Sequence, residues 1–237
     1  MNIANKVILI TGANRGIGLA LVEEALKRGA KKIYAGTRVT MNHPDKRVVP
    51  LVLDVTNIHQ IGSAAMKIEE LDVLINNAGI ASYDDLSDAG VLDKHLSINL
   101  FGPYHMIQAF LPALKKSHGA IVNNLSILAL APFAPIASYS VSKAAAFSMT
   151  QSMRAYLAGE NVSVHAVLTG PVDTDMNRGL DIPKTAPEVA AKNIFDGLEA
   201  GLEEIFPDPM SAQMADGWNN GGAKAMERQN AMAVQGV

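Results

Sequence analysis

Short continuous apolar runs alternate along the chain with longer stretches in which apolar residues recur every three or four positions. The runs are typical of strands buried on both faces of a parallel sheet, and the longer stretches are typical of amphipathic helices. The pattern predicts strands at residues 7–10, 32–37, 48–53, 72–75, 120–123, 162–168 and 204–206. It predicts helices at residues 17–29, 58–71, 91–116, 139–157 and 187–202, the third being interrupted at Pro103.

The regular alternation of strands and helices predicts a single α/β domain. Helical crossovers join parallel strands, so we expect a Rossmann-type, doubly wound parallel sheet of about seven strands with helices on both faces. No linker rich in Ser and Gly divides the chain, and no internal repeat is present. We place the domain at residues 1–216 and a tail at residues 217–237, for which a flexible segment and an interface arm remain alternatives.

Composition and charge narrow the classes of function. The chain has 237 residues, a net charge of −3, six histidines and no cysteine. These values argue against nucleic-acid binding and exclude disulfides, thiolate metal sites and thiol nucleophiles. The histidines lack metal-binding spacing, so no metal is expected. No charged leader and no apolar run as long as a membrane span is present, so we expect a cytoplasmic protein with no membrane partner.

A glycine-rich loop joins the first predicted strand to the first predicted helix. Gly12 permits a tight turn, Gly16 lets the backbone approach a pyrophosphate, and Gly18 allows the helix to pack closely on the sheet. The free N–H groups and the positive dipole end of the helix then face the phosphates. This strand–turn–helix context predicts a dinucleotide site.

The residues after the second strand indicate which dinucleotide is bound. Sites for NAD usually carry an acidic residue about 20 positions after such a loop. Here Arg38, preceded by Thr37, stands 20 positions after Gly18. A guanidinium at this place would pair with a 2′-phosphate, and Arg15 and Asn14 in the loop add a second cation and a hydrogen-bonding group. NADP(H) is therefore the expected cofactor, and the alternative is that both arginines are solvated surface charges.

Three motifs together resemble the short-chain dehydrogenase/reductase family, and the resemblance spans about residues 5–207. They are the glycine spacing G-x3-G-x-G after Thr11, the N-N-A-G run at residues 76–79, and Ser126-x12-Tyr139-x3-Lys143. The resemblance implies that Asp54 contacts the adenine, with a helix cap as the alternative, that the N-N-A-G run borders the ribose, and that Val172 and Thr174 hold the nicotinamide carboxamide. The further cofactor-binding residues that it implies are Ile17, Asp54, Val55, Asn77, Ala78, Gly79, Gly170, Val172 and Thr174.

Ser126, Tyr139 and Lys143 are the expected catalytic residues. Tyr139 and Lys143 are four positions apart on a predicted helix and share one face. A nearby ammonium stabilises the phenolate, whose pKa is ordinarily about 10. Ser126 would donate a hydrogen bond to a substrate oxygen that gains negative charge. By resemblance, Lys143 and Tyr139 also contact the cofactor, and Asn99 holds a water that relays protons to Lys143.

Departures from the family pattern lie close to the catalytic residues. Thr169 replaces a common Pro, Leu125 replaces a common Ser, and Ala129-Leu130 stands where Gly is frequent. These departures reshape the pocket and remove no catalytic group. The expected substrate pocket is apolar and consists of Leu128, Phe133, Ile136, Val172, Met176 and Ile182. The acidic pairs Asp84-Asp85 and Glu203-Glu204 are interpreted as solvated turns.

These features predict NADPH-dependent reduction of an uncharged ketone or aldehyde to an alcohol. A 3-oxoacyl-carrier reductase is an alternative, for which Lys115-Lys116 is the only hint of a docking patch. A low-turnover regulator that senses NADPH is another. Relatives usually pair through the long helix and the tyrosine-bearing helix, so we expect a homo-oligomer supported by Leu96, Leu100, Phe147 and Met149.

Overall fold

A parallel sheet of seven strands forms the centre of the protein. The structure is a computed structural model that describes residues 1–234. The strands are β1 (Val7–Thr11), β2 (Lys32–Thr37), β3 (Val48–Val52), β4 (Val73–Asn76), β5 (Ala120–Asn124), β6 (Ser163–Val167) and β7 (Glu204–Ile205). Their order is β3-β2-β1-β4-β5-β6-β7, and every neighbouring pair is parallel. The prediction of a Rossmann-type, doubly wound sheet is confirmed.

Helices cover both faces of the sheet. They are α1 (Gly16–Lys27), α2 (Ile58–Lys67), α3 (Ala89–Leu96), α4 (Gly102–Ser117), α5 (Ala137–Leu157), α6 (Pro187–Glu199), α7 (Pro209–Asn219) and α8 (Gly222–Ala231). Alternate residues of each strand point to opposite faces, and because both faces are covered, the central strands β1 and β4 are buried along their whole length. Ile8 and Ile10 of β1 pack in one core with Phe195 of α6, while Leu9 packs in the other with Phe110 of α4. The carboxyl edge of the sheet is left for ligands.

The long helix predicted at residues 91–116 is two helices joined by a widened turn. A π-helical segment, Ser97–Phe101, separates α3 from α4, and Pro103 lies in the first turn of α4. Proline has no N–H to donate to the preceding turn, so regular α-helical bonding stops just before it. Gly102 lets this junction approach the sheet, because a Cβ there would lie 2.8 Å from Val55 Cγ2. The widened turn carries Asn99, which is buried.

Three helices end earlier than their apolar patterns predict, and the first of them, α1, ends at Lys27 instead of residue 29. The second ends at Lys67 instead of residue 71, and Ile68 and Leu71 are buried in the connection to β4. Helix α6, which corresponds to the last predicted helix, ends at Glu199 instead of residue 202, because Gly201 adopts a left-handed conformation with φ of +73°. The N–H groups of Gly201 and Leu202 then turn back to the carbonyls of Leu198 and Gly197, an arrangement that closes a helix.

The last part of the chain forms two helices that the hydrophobic pattern does not predict. A signal was present in the sequence, since Asp208 and Ser211 form a capping box with Pro209 in the first turn of α7. Trp218 of α7 packs its indole edge-on against Phe147 of α5, with ring centroids 5.2 Å apart. The predicted tail therefore contains the end of α7, all of α8 and a 3-10 turn at Met232–Val234, and residues 235–237 lie outside the described residues.

A buried ionic cluster attaches α8 to the sheet. Lys224 Nζ lies 2.8 Å from both Glu203 and Glu204, and 2.6 Å from Glu227. Arg154 Nη1 is 2.7 Å from Glu227 and 2.8 Å from Glu204 Oε1, the latter an ion-pair contact without aligned hydrogen-bond geometry. The interpretation of Glu203-Glu204 as a solvated turn is wrong for Glu204, because it belongs to β7 and its side chain is buried.

Within residues 1–234, no helix is both long enough and apolar enough to cross a membrane bilayer. No three His, Asp or Glu side chains within these residues gather in a way that could hold a metal ion.

Candidate active site

The glycine loop between β1 and α1 has the geometry of a phosphate cradle. Gly12 and Gly16 have φ values of +67° and +52°, which side chains rarely allow. A Cβ on Gly18 would lie 2.0 Å from the carbonyl oxygen of Gly12, so only glycine fits there. Helix α1 begins at Gly16, and its N-cap, Arg15, makes no side-chain cap hydrogen bond. The first N–H groups of the helix are therefore left for an anion.

The segment after β4 is fastened to the glycine loop. The hydroxyl of Thr11 accepts hydrogen bonds from the N–H groups of Asn77 and Ala78, both at 3.0 Å. The amide of Asn77 donates to the carbonyl of Thr11 at 3.0 Å. A Cβ on Gly12 would be 3.0 Å from Ala78 Cα. The structure thus brings together the two motifs that the sequence assigns to the cofactor.

The two arginines assigned to the 2′-phosphate have different surroundings. Arg38 is exposed directly after β2 and makes no ion pair with any residue in the described range. Arg15 Nη1 lies 3.0 Å from Asp175 Oδ2, across the open cleft from the glycine loop. Asp175 also pairs with Arg178, and the Arg15 hydrogen bond holds the pKa of the Asp175 carboxyl below its usual value. No local pattern indicates this partner of Arg15, because the two residues are 160 positions apart along the chain.

The adenine-side residues lie at the end of β3. Val55 is buried, while Asp54 is partly exposed. Asp54 Oδ1 accepts from the N–H and the hydroxyl of Thr56, at 2.9 and 2.8 Å, which fixes the turn into α2. Asn57, not Asp54, caps α2. The adenine contact of Asp54 stays a prediction.

Ser126 and Tyr139 meet across the carboxyl end of β5. Ser126 begins a short 3-10 turn, and its Oγ accepts from the N–H of Leu128 at 3.2 Å. The Ser126 side chain also lies close enough to that of Tyr139, in the first turn of α5, to affect its pKa. Burial raises the pKa of Tyr139 to about 12, and the nearby Ser126 side chain lowers it by a smaller amount. The Tyr139 side chain is still partly exposed at the cleft. The phenol is therefore protonated at neutral pH.

Lys143 lies on the same face of α5 as Tyr139. Its Nζ is 5.5 Å from the centroid of the Tyr139 ring and donates to the carbonyl of Asn124 at 2.8 Å. Burial lowers the pKa of Lys143 to about 8. The charged amine is the form that would stabilise a developing phenolate. The structure thus brings together the three residues that the sequence assigns to catalysis.

Asn99 faces the same site from the π-helical segment. Its Oδ1 accepts from the N–H of Ile80 at 2.9 Å, and its Nδ2 donates to the Ile80 carbonyl and to Ser142 Oγ. A Cβ on Gly79 would be 3.2 Å from Asn99 Oδ1 and 3.8 Å from Lys143 Nζ. Glycine at position 79 therefore lets Asn99 and Lys143 lie close together. The proton relay through Asn99 stays a prediction.

Asp84 supports the start of α5, the helix that carries Tyr139 and Lys143, a role that sequence reasoning missed. Its carboxylate accepts from the N–H of Ser138 at 3.1 Å and from the Ser138 hydroxyl. The hydrogen bond from the Ser138 hydroxyl lowers the pKa of Asp84. The interpretation of Asp84 as a solvated turn is wrong, while Asp85 does cap a local turn at Ser87. Asp84 and Ser138 are 54 positions apart, and no local pattern joins them.

The residues assigned to the substrate pocket border the carboxyl edge of the sheet. Leu128 and Ile136 are partly buried, and Val172 is buried. Phe133, Met176 and Ile182 are exposed, in segments that follow β5 and β6. Backbone hydrogen bonds from Asp173 to Thr185 and from Thr185 to Pro171, at 2.8 and 3.0 Å, close the base of the second segment. Thr174 in that segment lies close to Gly16, because a Cβ on Gly16 would be 3.0 Å from Thr174 Cγ2.

Gly170, also assigned to the cofactor, is bound to the start of α7. Its N–H donates to Asp208 Oδ2 at 2.7 Å, and a Cβ would lie 2.4 Å from Asp208 Oδ1. Asp208 in turn caps α7. The last two helices are thereby connected to the edge of the site.

Comparison with known proteins places this architecture in a family. The family profile described as short chain dehydrogenase matches residues 6–184. An uncharacterized oxidoreductase of Staphylococcus epidermidis is 31% identical over 214 residues, covering 85% of this chain and 93% of the relative. A 3-oxoacyl-[acyl-carrier-protein] reductase of Vibrio harveyi is 32% identical over 222 residues, covering 87% of this chain and 91% of that protein.

Solved structures agree with the sequence relatives. A short chain dehydrogenase from Burkholderia cenocepacia, determined in complex with NADP, superposes with a TM-score of 0.89 at 39% identity. The superposition covers 97% of this chain and 98% of the Burkholderia chain. The chain described here therefore belongs to the short chain dehydrogenase family of oxidoreductases.

Proposed function

We propose that the protein reduces a ketone or aldehyde to an alcohol with NADPH. The observation that carries the proposal is the contact of Ser126 with Tyr139, with Lys143 on the same helix face. This group lies at the carboxyl edge of the sheet, the edge on which the glycine loop forms its phosphate cradle. Such an arrangement provides a proton donor and an oxygen-binding group next to a nucleotide site.

The residues divide the chemistry between them. Bound NADPH supplies the hydride that adds to the carbonyl carbon. Ser126 binds the carbonyl oxygen by a hydrogen bond, and Tyr139 transfers its phenolic proton to that oxygen as negative charge develops. Lys143, charged, stabilises the phenolate that remains on Tyr139. One hydride and one proton are thus added, and the product is an alcohol.

The choice of NADP(H) over NAD(H) depends on the end of β2. Arg38 is exposed there with no ion-pair partner among the described residues, so it is available to a 2′-phosphate. No carboxylate occupies positions 37–40 to bind a free ribose hydroxyl. The Burkholderia relative, which is described in complex with NADP, supports the same choice.

An uncharged, apolar carbonyl compound fits the residues around the cleft. Phe133, Met176 and Ile182 present exposed apolar surface next to the segments that carry the site. We therefore propose a hydrophobic ketone as the substrate class. An apolar binding surface favours a ligand that carries no fixed charge.

A carrier-bound 3-oxoacyl substrate is the second candidate, since relatives about 30% identical are named as such reductases. The hint of a docking patch at Lys115-Lys116 does not support it. These lysines end α4, directly before β5 begins, and therefore lie at the edge of the sheet opposite the site. Lys115 is also paired with Glu160 at 2.8 Å. A regulator that binds NADPH with little turnover is the third candidate.

We also propose that the protein forms a homo-oligomer through α4 and α5. Phe101 and Tyr104 are exposed at the start of α4, and Val141 is exposed on α5. Phe147, one of the four residues expected to support pairing, is instead buried against Trp218 of its own chain. Light scattering on the wild type and on a Phe101→Ser, Tyr104→Ser double variant tests this contact. The variant should have the lower mass, and equal masses would show that these residues do not form the contact.

One assay tests the proposed reaction. NADPH oxidation is followed with a panel of aliphatic, aromatic and cyclic ketones, while NADPH binding is followed by its fluorescence. Turnover of at least one apolar ketone, with NADPH preferred to NADH, supports the proposal. Binding of NADPH with no turnover of any carbonyl compound, carrier-linked ones included, would favour the regulator.

A further inference from the structure

Thr169 lies two positions after β6, where proline is common in the family. Its side chain has a defined hydrogen-bond partner. Its side chain is buried, and its hydroxyl donates to Asn124 Oδ1 at 2.7 Å. Proline could not make this bond, because it has no hydroxyl. The amide oxygen of the partly buried Asn124 would lose this donor if the hydroxyl were absent, and an unsatisfied polar group away from bulk water is destabilising. The departure at position 169 is therefore coupled to the residue at position 124.

Asn124, the last residue of β5, is held from both sides. Its Nδ2 donates to Asn77 Oδ1 at 2.9 Å, while its Oδ1 accepts from Thr169. Asn77 continues the line to the carbonyl of Thr11 in β1. The line of hydrogen bonds crosses the carboxyl ends of β6, β5, β4 and β1, directly below the nucleotide loop. Both functional groups of the Asn124 amide are used, so its position is fixed.

The backbone of Asn124 binds the proposed catalytic lysine. Its carbonyl oxygen accepts from Lys143 Nζ at 2.8 Å. The other groups that face Lys143 are Tyr139 on its own helix, the Gly79 backbone after β4, and Asn99 from the π-helical segment. Apart from Tyr139, these groups do not titrate. The carbonyl of Asn124 is thus the acceptor that holds a buried ammonium in place.

We propose that Thr169 and Asn124 are positioning residues that hold Lys143 beside Tyr139 through the Asn124 carbonyl. The inference builds on the proposed function, because it concerns the residue that assists proton transfer by Tyr139. Loss of the Thr169 hydroxyl frees the Asn124 amide and displaces the carbonyl from Lys143. A hydrogen bond to a charged amine favours the charged form, and its loss therefore lowers the pKa of Lys143 further below its ordinary value.

Thr169→Val is the main test, because it replaces the hydroxyl by a methyl group of similar size. Thr169→Ser keeps the hydroxyl and is the conservative rescue. Thr150→Val is the matched control, since the Thr150 hydroxyl is also buried and accepts from the neighbouring Asn123 at 2.9 Å. Thr169→Ala removes the hydroxyl with no added methyl group, and is used if the valine variant does not fold.

The first measurement is the titration of the Lys143 amine by NMR in the protein alone, with no substrate or nucleotide added. In Thr169→Val we expect its pKa to fall by about half a unit or more, while Thr169→Ser and Thr150→Val titrate like the wild type. The second is the pH profile of kcat/KM with NADPH and a ketone. Its alkaline limb should shift in the same direction, and kcat should fall roughly tenfold with little change in KM.

A melting curve of each variant separates positioning from stability. If Thr169→Val lowers only the melting temperature and Lys143 titrates as in the wild type, the inference is overturned. It is overturned too if Thr169→Ser shifts the titration as much as Thr169→Val. If Lys143 shifts as expected but no carbonyl compound is reduced, the proposed reaction fails while the positioning role stands.

Discussion

Lys224 of α8 and Glu204 of β7 form an ion pair in which each side chain is 1% exposed, with Nζ 2.8 Å from Oε2. Arg154, Glu203 and Glu227 surround the pair. Burial alone would lower the pKa of Lys224, but hydrogen bonds to Glu203, Glu204 and Glu227 outweigh it and raise the pKa. A raised pKa means that the stabilisation is complete below the ordinary value for lysine and is lost only in more alkaline solution. The cluster therefore holds α8 in place throughout the neutral range.

Lys224→Met should destabilise the protein strongly. Removal of Lys224 leaves the buried Glu204 and its acidic neighbours with Arg154 alone of their two paired cations, and breaking a buried ion pair costs about 3–5 kcal/mol. Urea unfolding measures the loss, and fluorescence of Trp218, the single tryptophan, reports whether α7 leaves Phe147. Lys115→Met is the control, because Lys115 and Glu160 form an exposed pair worth about 1 kcal/mol or less. Equal losses in the two variants would contradict the structural role of the cluster.

Asp84→Asn should impair the start of α5, and with it catalysis. Asn lacks the charge that holds the Ser138 N–H and hydroxyl, so Tyr139 loses its fixed position and kcat/KM falls. Asp85→Asn is the adjacent control and should retain the wild-type kcat/KM, since Asp85 bonds only to the local turn at Ser87. Steady-state kinetics of both variants check this. Unchanged kcat/KM in Asp84→Asn would show that the hydrogen bonds between Asp84 and Ser138 are not needed for catalysis.

The stability of the wild type and of Asp84→Asn should differ in their dependence on pH. The folded pKa of Asp84 lies below its usual value, because the Ser138 side chain bonds to the carboxylate. Its contribution is thus present above the unfolded pKa and disappears as the pH falls through the folded pKa. Thermal melts across the acidic range should show a shallower decline in Asp84→Asn. If the melting temperatures of the two proteins fell in parallel with decreasing pH, the stabilising role of the Asp84 carboxylate at the start of α5 would be contradicted.

Arg38→Asp should change the cofactor preference. Loss of a charge-assisted bond to the 2′-phosphate, about 1.5–3 kcal/mol, corresponds to about a 10- to 150-fold loss in affinity for NADPH. NADH binding should be kept or improved, because a carboxylate suits free ribose hydroxyls. Arg15→Gln should have a smaller effect, since Arg15 is already paired with Asp175. Fluorescence titration with both nucleotides checks this, and an unchanged preference in Arg38→Asp would remove the basis for NADP(H).

The sheet and the main site could be predicted from the sequence because their signals are local. Strands buried on both faces are read as continuous apolar runs, and Tyr139 and Lys143 share a face through helical spacing alone. The partners of Asp84, Arg15 and Glu204 could not be predicted in this way. Each of them is distant along the chain, so that only the folded structure brings Asp84 to Ser138, Arg15 to Asp175 and Glu204 to Lys224.

Two local features were missed for other reasons. The π-helical segment Ser97–Phe101 has the same apolar periodicity as its flanking helices, so that only the interruption at Pro103, directly after it, could be predicted. Helix α8 has few apolar residues, because a buried ionic cluster rather than an apolar stripe attaches it. A search for hydrophobic periodicity therefore cannot detect it.

The central claim is that Tyr139 protonates a carbonyl oxygen while NADPH gives up its hydride. It is tested most directly by single-turnover oxidation of bound NADPH by a ketone in Tyr139→Phe, with Tyr156→Phe, an exposed tyrosine on the same helix, as control. The account predicts that both variants bind NADPH like the wild type. The rate should fall about 10²- to 10⁴-fold in Tyr139→Phe alone. A wild-type rate in Tyr139→Phe would contradict the account.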